Sequence, residues 1–332
     1  MHLLVTGGCG FIGKNFIRLL ERERPDWTVI NLDALTYAAS PAGLPEHWRG
    51  YRFVKGDIRD RDLVNELVQG VDAVVNFAAE SHVDRSILSS FEFISTNVLG
   101  SQCLLDSARA VGVPTFLQVS TDEVYGSLEP QDPPFEETTP LSPRSPYAAS
   151  KAAADLLVLS YFQTYGMDVR ITRCSNNYGP YQFPEKLIPL TIINALNGRA
   201  IPIYGDGRQR RDWIHVEDHC RGIIMVLERG RPGEVYNFGA SEERENRQTI
   251  QFILRALGAS ESLMTQVKDR PGHDRRYAIN ATRARTMGWT PMHTFEEGIQ
   301  STVSWYQGER AWWDALMGPD YEAYYVAQYG TR

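Results

Sequence analysis

The stretch Thr6-Gly7-Gly8-Cys9-Gly10-Phe11-Ile12-Gly13 decides the fold of this chain. It follows an apolar run at 3–5 and precedes apolar residues at helical spacing over 16–20, an order that predicts a strand, a glycine turn and a helix. The glycines at 7, 10 and 13 permit positive φ, close approach of a pyrophosphate and tight packing of the helix on the strand. Glycine-rich loops also arise from packing alone, so the stretch favours a dinucleotide site without proving one.

A carboxylate stands where a dinucleotide site needs one. A second predicted strand over 28–32 ends at Asp33, roughly 20 residues after the last glycine, where a carboxylate accepts hydrogen bonds from ribose hydroxyls. The residues that follow, Ala34, Leu35 and Thr36, carry no positive charge. A 2′-phosphate would face Asp33 without a counterion, so the sequence favours NAD over NADP.

The composition is that of an ordinary globular protein. The chain has 332 residues, 42% of them hydrophobic, and a net charge of −7, which suits one large or two ordinary domains. The acidic balance argues against a nucleic-acid partner, and the basic cluster Arg208, Arg210 and Arg211 suits a small anionic ligand better.

Cysteine usage and hydropathy predict a cytoplasmic location. The four cysteines at 9, 103, 174 and 220 show no metal or redox spacing, so we expect reduced thiols and no metal site. No apolar segment reaches membrane length, and Met1-His2 runs into the first strand without a leader pattern, so no membrane partner is expected.

Short apolar runs alternate with helical patterns along the first half of the chain. Strands are predicted over 52–55, 73–77, 115–119 and 169–172, with helices over 61–69, 91–111 and 147–165. This alternation predicts an α/β fold, a Rossmann-type doubly wound parallel sheet with helices on both faces. Ligands bind such sheets at the carboxyl ends of the strands.

The pattern becomes irregular, proline-rich and aromatic-rich after about residue 175. We assign 1–175 to an NAD-binding Rossmann domain with a returning segment near 212–230, 176–315 mainly to a smaller irregular α/β substrate-binding lobe, and 316–332 to a C-terminal tail that packs on the surface. A last amphipathic helix is expected near 295–307.

Two predicted helices, 91–111 and 147–165, are apolar on more than one face. One face covers the sheet, and the other needs a second cover, which predicts a homodimer built from a helix bundle. The alternative cover is the chain's own tail.

Tyr147 and Lys151 stand four residues apart at the start of a predicted helix, so they share a face. A nearby ammonium lowers the pKa of a phenol, which would let Tyr147 act as a base toward a sugar hydroxyl. The alternative is a surface pair on an exposed turn.

The segment Thr121-Asp122-Glu123 follows a predicted buried strand, at the edge where the cofactor crevice opens. Mutual repulsion and desolvation raise the pKa of at least one carboxyl, which is how an acid and a base coexist at neutral pH. A solvated acidic turn is the alternative.

Four segments together carry a resemblance that covers nearly the whole chain. They are 78–86 (Ala-Ala-Glu-Ser-His-Val-Asp-Arg-Ser), 121–123, 172–187 and 269–277 (Asp-Arg-Pro-Gly-His-Asp-Arg-Arg-Tyr). The chain resembles the extended short-chain dehydrogenase/reductase family and, within it, is similar to the dTDP-glucose 4,6-dehydratases.

The resemblance implies NAD as cofactor and dTDP-glucose as substrate. Tyr147, helped by Lys151 and Thr121, would take the proton of the sugar 4-hydroxyl while the C4 hydride passes to NAD. Glu123 would then remove the C5 proton as Asp122 protonates the departing C6 hydroxyl. Return of the hydride to C6 would give a 4-keto-6-deoxy sugar.

The resemblance also implies two sets of binding residues. NAD would contact Gly7, Gly10, Phe11, Ile12, Gly13, Asp33, Ala34, Leu35, Thr36, Asp57, Ile58, Phe77, Ala78, Ala79, Glu80, Ser81, Thr96, Tyr147, Lys151 and Asn177. Substrate would contact Ser81, Thr121, Asn176, Lys186, Leu187, Pro202, Ile203, Tyr204, Arg211, Asn246, Asp269, Arg270, Pro271, Gly272 and His273. Two residues have structural alternatives: Asp57 as a helix N-cap, and Arg211 in a surface ion pair with Asp212 or Glu217.

Other functions fit parts of this pattern. UDP-glucose is an alternative sugar nucleotide, and a nucleotide-sugar 4-epimerase or reductase of the same fold would not need Asp122 and Glu123. A non-catalytic NAD-sensing or scaffold protein usually loses the residues corresponding to Tyr147 or Lys151, and this chain keeps both. We expect His82 and His273 to make polar ligand contacts rather than to bind metal.

Overall fold

The computed structural model describes residues 1–330, and a parallel sheet forms its centre. The strands are β1 (His2–Thr6), β2 (Thr28–Asp33), β3 (Tyr51–Lys55), β4 (Ala73–Asn76), β5 (Thr115–Thr121), β6 (Val169–Cys174), β7 (Asn176–Tyr178), β8 (Ile201–Tyr204), β9 (Arg210–His215), β10 (Val235–Phe238), β11 (Glu243–Glu245) and β12 (Met264–Val267). The central sheet has the order β10-β6-β5-β4-β1-β2-β3, with every pairing parallel. The order reverses beside β1, at the switch point where such sheets bind ligands.

Helices cover both faces of this sheet. The α-helices of residues 1–330, only some of which cover this sheet, are α1 (Phe11–Glu23), α2 (Arg61–Leu67), α3 (Val83–Leu88), α4 (Phe91–Ile94), α5 (Ser101–Val111), α6 (Pro146–Tyr165), α7 (Leu187–Leu196), α8 (Val216–Arg229), α9 (Asn246–Leu257), α10 (Thr282–Thr286), α11 (Phe295–Gly308), α12 (Arg310–Leu316) and α13 (Pro319–Tyr329). One face buries α1 and α8, with Phe16 and Ile223 fully enclosed, and the other buries α2, α5 and α6 around Leu104 and Val158. The predicted Rossmann-type α/β fold is confirmed.

The predicted helix over 91–111 is helical along its whole length, but it is not α-helical throughout. Its middle, Ser95–Gly100, is π-helical, between α4 and α5. A π-helical turn adds a residue to the helical circuit, shifts the side chains that follow and is frequent at functional sites. Periodicity over the whole segment concealed this interruption.

The second half of the chain forms two small sheets, β11-β9-β7 and β12-β8, beside the central sheet. Their core joins α7, α9 and α11 around Ile192, Ile253 and Ile299. Near the segment expected to return, α8 covers the central sheet, and β10 pairs with β6. The division into 1–175, 176–315 and 316–332 stays a prediction.

The helix expected near 295–307 is α11, but it is not the last helix, since α12 and α13 follow it. The segment after α11 is also more than a surface tail. Trp313 is 1% exposed, and Tyr321 and Gln328 are buried. The large aromatic side chains of this segment bury apolar area against the second half of the chain.

The four cysteines are free thiols and are buried. Among the helices of residues 1–330, none combines the length and apolar character needed to cross a membrane.

Candidate active site

The glycine turn between β1 and α1 packs closely against neighbouring backbone, which only glycine permits. Gly7 has a φ of +73°, and a Cβ there would lie 2.6 Å from the backbone nitrogen of Ala78. A Cβ on Gly13 would lie 2.5 Å from the Gly7 carbonyl oxygen. Gly10 starts α1 without a side-chain cap, and no acidic residue lies in the first turn. The N–H groups of this turn therefore fit the pyrophosphate of a dinucleotide.

Asp33 lies at the end of β2, beside this turn. Its carboxylate accepts the N–H groups of Cys9 and Leu35, each at 2.8 Å. Burial raises the pKa of Asp33, and these two N–H groups oppose the rise. A carboxylate offers about four acceptor positions, so some remain for ribose hydroxyls. The donors and acceptors at this edge fit NAD.

Asp57 follows β3, and its carboxylate is held by a neighbour. Arg59 donates to both carboxylate oxygens, at 2.9 and 2.6 Å, and lowers the pKa of Asp57. The N-cap of α2 is Asp60, which accepts the N–H of Leu63. The alternative of Asp57 as the helix cap is therefore wrong, while Ile58 beside it is buried.

The segment 77–81 follows β4 and is held from the π-helical turn. Asn97 accepts the N–H of Glu80 at 2.9 Å, donates to its carbonyl at 3.0 Å, and donates to the Ser150 hydroxyl at 2.8 Å. Asn97 thereby links the segment after β4 to α6. It is adjacent to Thr96, which the family resemblance implies as an NAD contact. Sequence reasoning missed Asn97, because the π-helical shift that directs it inward has no sequence signature we recognised.

Asn177 lies on β7, but its side-chain amide is engaged by protein. It donates to the Ser175 carbonyl at 2.9 Å and its oxygen lies 3.0 Å from the His219 ring. Phe77, also predicted at the cofactor, packs against Phe16 with ring centroids 5.1 Å apart.

Tyr147 and Lys151 lie on the buried face at the start of α6, where the Ser145 hydroxyl caps the helix. Lys151 Nζ donates to the Val119 carbonyl at 2.7 Å. Burial and the Glu123 carboxylate raise the pKa of Tyr147 well above its usual range. The expectation that Lys151 lowers this pKa is wrong in this structure, because Val119 engages the ammonium and burial lowers the pKa of Lys151 itself.

Asp122 and Glu123 follow β5 in the 3₁₀ turn Asp122–Tyr125, where the Thr121 hydroxyl accepts the N–H of Glu123 at 3.2 Å. Asp122 is 2% exposed, and its Oδ2 has no hydrogen-bond partner within residues 1–330. Burial, then Glu123 and Asp212, raise the pKa of Asp122 well above its usual range. These surroundings favour the protonated form of Asp122.

The neighbours of Glu123 are different. Burial raises its pKa, but the cations Arg270, Lys186 and Arg211 all oppose the rise. Glu123 is therefore stabilised as a carboxylate relative to Asp122. Two adjacent carboxyl groups in unlike environments are suited to serve as an acid and a base, and these roles stay a prediction.

Arg211 is 5% exposed and donates to the carbonyls of Arg210 and Asp274. Its guanidinium lies 4.4 Å from the Tyr277 ring centroid, so the alternative of a surface ion pair is wrong. The basic cluster expected from the sequence does not form, because alternate residues of β9 point in opposite directions. Instead, Arg270 and Lys186 join Arg211 around Glu123.

Four further predicted substrate residues, Tyr204, Asp269, Arg270 and His273, contact one another and are called the predicted substrate wall. Asp269 organises its loop by accepting the N–H of Arg270 at 2.9 Å and lying 2.6 Å from the His273 ring nitrogen. Tyr204 meets the His273 ring edge-on. Burial and Arg270 lower the pKa of His273 to about 4, so this ring is neutral at pH 7. Pro271 and Gly272 are exposed in the loop.

Further predicted residues line the same region. Lys186 precedes α7 and donates to the Ser81 carbonyl at 3.0 Å. Pro202 and Ile203 are buried in β8, and Leu187 begins α7. The side-chain oxygens of Asn176 and Asn246 are buried without partners within residues 1–330, which fits acceptors for a ligand.

His82 is buried, with Nε2 3.9 Å from Glu185. Burial and the nearby Lys186, Arg85 and Arg270 lower its pKa well below the usual range. In the part of the chain that the structure describes, no three His, Cys, Asp or Glu side chains are grouped to hold a metal ion.

The parallel sheet, the glycine turn and the Tyr147–Lys151 pair define an extended short-chain dehydrogenase/reductase. A family model described as GDP-mannose 4,6 dehydratase matches residues 4–302, and the chain belongs to this family.

Relatives at about half identity cover nearly the whole chain. A dTDP-glucose 4,6-dehydratase of Streptomyces antibioticus is 51% identical, over 95% of this chain and 95% of that protein. A protein of Haloferax volcanii described as the low-salt glycan biosynthesis protein Agl12 is 53% identical, over 93% and 99%. The crystal structure of DesIV, a dTDP-glucose 4,6-dehydratase from Streptomyces venezuelae with NAD and TYD bound, is 51% identical and matches with a TM-score of 0.93, covering 95% and 100%.

Proposed function

We propose that this chain is an NAD-dependent dTDP-glucose 4,6-dehydratase, a hydro-lyase that converts dTDP-glucose to dTDP-4-keto-6-deoxyglucose and water. The observation that carries the proposal is the unlike environment of Asp122 and Glu123 beside Tyr147. Relatives and solved structures that share about half of their residues with this chain carry this activity in their names.

NAD, when bound, supplies a reversible hydride acceptor for C4 and donor for C6. Tyr147 receives the proton of the sugar 4-hydroxyl, with the Thr121 hydroxyl favouring its phenolate. Because burial raises the pKa of Tyr147, this transfer needs positive charge near the phenol in the loaded site. Lys151, four residues along α6, carries an ammonium that can supply this charge, although in this structure it donates to the Val119 carbonyl.

Elimination follows from the carboxyl pair. The new 4-ketone acidifies the C5 proton, and the Glu123 carboxylate removes it. The neutral Asp122 protonates the C6 hydroxyl, which leaves as water. A 4-epimerase needs neither group, so the separation of acid from base favours the dehydratase over the epimerase.

The cations around Glu123 also suit the diphosphate of a sugar nucleotide. Arg211 is buried with its guanidinium held by two carbonyls, which leaves donors in a planar fork for phosphate oxygens. The DesIV structure with TYD bound supports a dTDP sugar rather than UDP-glucose, which remains the second candidate substrate.

We further propose that the enzyme is a homodimer and works in the cytoplasm. Leu88, Phe91, Leu99 and Leu156 are each more than half exposed and lie on α3 to α6, where a helix bundle was predicted. Large apolar side chains exposed on neighbouring helices favour an interface. The four free thiols suit a reducing compartment.

Steady-state kinetics with dTDP-glucose and UDP-glucose in parallel test the substrate assignment. We expect 4-keto sugar formation from both, with a higher kcat/KM for dTDP-glucose. A higher kcat/KM for UDP-glucose would show that uracil, not thymine, is the preferred base of the sugar nucleotide. Inversion at C4 without loss of water would identify an epimerase. Light scattering at micromolar concentration tests the dimer.

A further inference from the structure

Asp84, at the start of α3, is buried at the meeting point of four segments. Its Oδ1 accepts Arg270 Nη1 at 2.9 Å. Its Oδ2 accepts the Tyr204 hydroxyl at 3.0 Å and Gln328 Nε2 at 3.1 Å. Gln328 Nε2 also lies 2.6 Å from the Tyr204 hydroxyl oxygen. This cluster, the Asp84 node, consists of Asp84, Tyr204, Arg270 and Gln328.

Two members of the Asp84 node belong to the predicted substrate wall. Arg270 is the first cation acting on Glu123, and its Nε is buried without a partner within residues 1–330. Tyr204 presents its ring to His273 while its hydroxyl is held in the node. Asp84 thus holds the far ends of both side chains and leaves the Tyr204 ring and Arg270 Nε for other contacts.

Gln328 brings the C-terminal helix α13 into the same cluster. The helix is anchored along its length: Glu322 pairs with Arg199 at 3.2 Å, and the Tyr324 ring meets His82 edge-on. Arg85 also lies over the Tyr324 ring, 4.4 Å from its centroid. The helix therefore packs on the 82–85 segment that follows the predicted cofactor residues, and Gln328 reaches the node from it.

We propose that Asp84 and Gln328 are positioning residues that hold Tyr204 and Arg270 in the nucleotide-sugar pocket, so that the C-terminal helix is part of the substrate site. The inference rests on the proposed function for the identity of the ligand. A charge-assisted bond between a buried carboxylate and a guanidinium fixes the orientation of the guanidinium, which lowers the cost of ordering it when a ligand binds. Loss of the node should therefore weaken substrate binding more than it slows the chemistry.

The test is the split between KM and kcat in Asp84→Asn and Gln328→Ala, measured on the NAD-loaded enzyme with dTDP-glucose. We expect KM to rise about 10-fold for Asp84→Asn and about 3-fold for Gln328→Ala, with kcat within about 2-fold of wild type. Asp84→Glu, which keeps the charge, should recover part of the loss. Unchanged KM in both variants, or a fall in kcat alone, would overturn the proposal.

Glu322→Gln is the matched control, because it loosens α13 at an exposed ion pair away from the node. A rise in KM for this variant equal to that of Gln328→Ala would overturn the specific role of Gln328. Calorimetric titration with thymidine diphosphate measures nucleotide binding directly. It therefore tests the Asp84 node even if the enzyme does not catalyse the proposed reaction. If wild type binds this nucleotide but does not turn over dTDP-glucose, the proposed function fails, and the ratio of variant to wild-type dissociation constants still decides the inference.

Discussion

The two walls of the active site are built in different ways. On the catalytic wall, Asp122 and Glu123 follow β5 directly, and Tyr147 and Lys151 lie in the first turns of α6, so the backbone sets their positions. On the predicted substrate wall, Tyr204 and Arg270 come from an edge strand and a loop and are held through side-chain hydrogen bonds. Changes on the first wall should act on kcat, and changes on the second should act on KM.

Glu123→Gln should produce the largest effect. The amide cannot accept the C5 proton, so we expect product formation to fall by about 10³-fold or more, while some oxidation at C4 persists. Bound NADH, followed by absorbance, and C5 exchange, followed by NMR in deuterated water, separate the two steps. Retained elimination would remove Glu123 as the base.

Tyr147→Phe should slow the first oxidation by about 10²-fold, because the phenol is the group placed to receive the 4-hydroxyl proton. Tyr161→Phe is the matched control, since that hydroxyl lies on the same helix and donates to Asp106. Rapid-mixing measurement of NADH formation checks the step. A normal oxidation rate combined with slow elimination would contradict the assignment.

Gly7→Ala tests the cofactor turn that supports the catalytic wall. The new Cβ would meet Ala78 at 2.6 Å, in addition to the strain of a φ of +73°. Gly70→Ala has nearly the same φ, +71°, and no neighbour within 4 Å, so it isolates the backbone strain. We expect Gly70→Ala to cost about 1 kcal/mol of unfolding free energy and Gly7→Ala to cost more and to weaken NAD binding. If denaturant unfolding shows equal losses of unfolding free energy for Gly7→Ala and Gly70→Ala, the close approach of Gly7 to Ala78 is unimportant.

Asp212→Asn should cause the smallest change, a shift in pH dependence. Asp122 must be protonated to act as an acid, so the rate falls as pH rises through its elevated pKa. Burial raises the pKa of Asp212 to about 6, so above that pH its carboxylate adds to the elevation of the pKa of Asp122. Asp212→Asn removes this charge and should lower the pKa of Asp122. The fall of kcat on the basic side of the pH profile should therefore occur at lower pH. An unmoved limb, or one shifted upward, would contradict this electrostatic link.

The same contrast explains what the sequence could predict. The glycine turn and the carboxyl pair were found from local patterns, because a strand and the turn that follows it are contiguous in the sequence. The residues of the predicted substrate wall were found only through the family resemblance. Its hydrogen bonds join residues 84, 204, 270 and 328, whose mutual approach leaves no local signal.

Tertiary burial explains the expectations that proved wrong. The spacing of Tyr147 and Lys151 predicted a shared face, which is correct, but the pKa of the phenol depends on how deeply α6 is buried and on which acceptor engages the ammonium. Similarly, the sequence suggested one basic cluster of Arg208, Arg210 and Arg211, whereas Arg210 and Arg211 are neighbours on β9 and point to opposite faces.

The most direct test of the central claim is the product formed from dTDP-glucose in deuterated water, analysed by mass spectrometry and NMR. With Glu123 as base and Asp122 as acid, the product should lose one water and carry one deuterium at C5. A product of unchanged composition with an inverted C4, or one that lost water without deuterium at C5, would contradict the account.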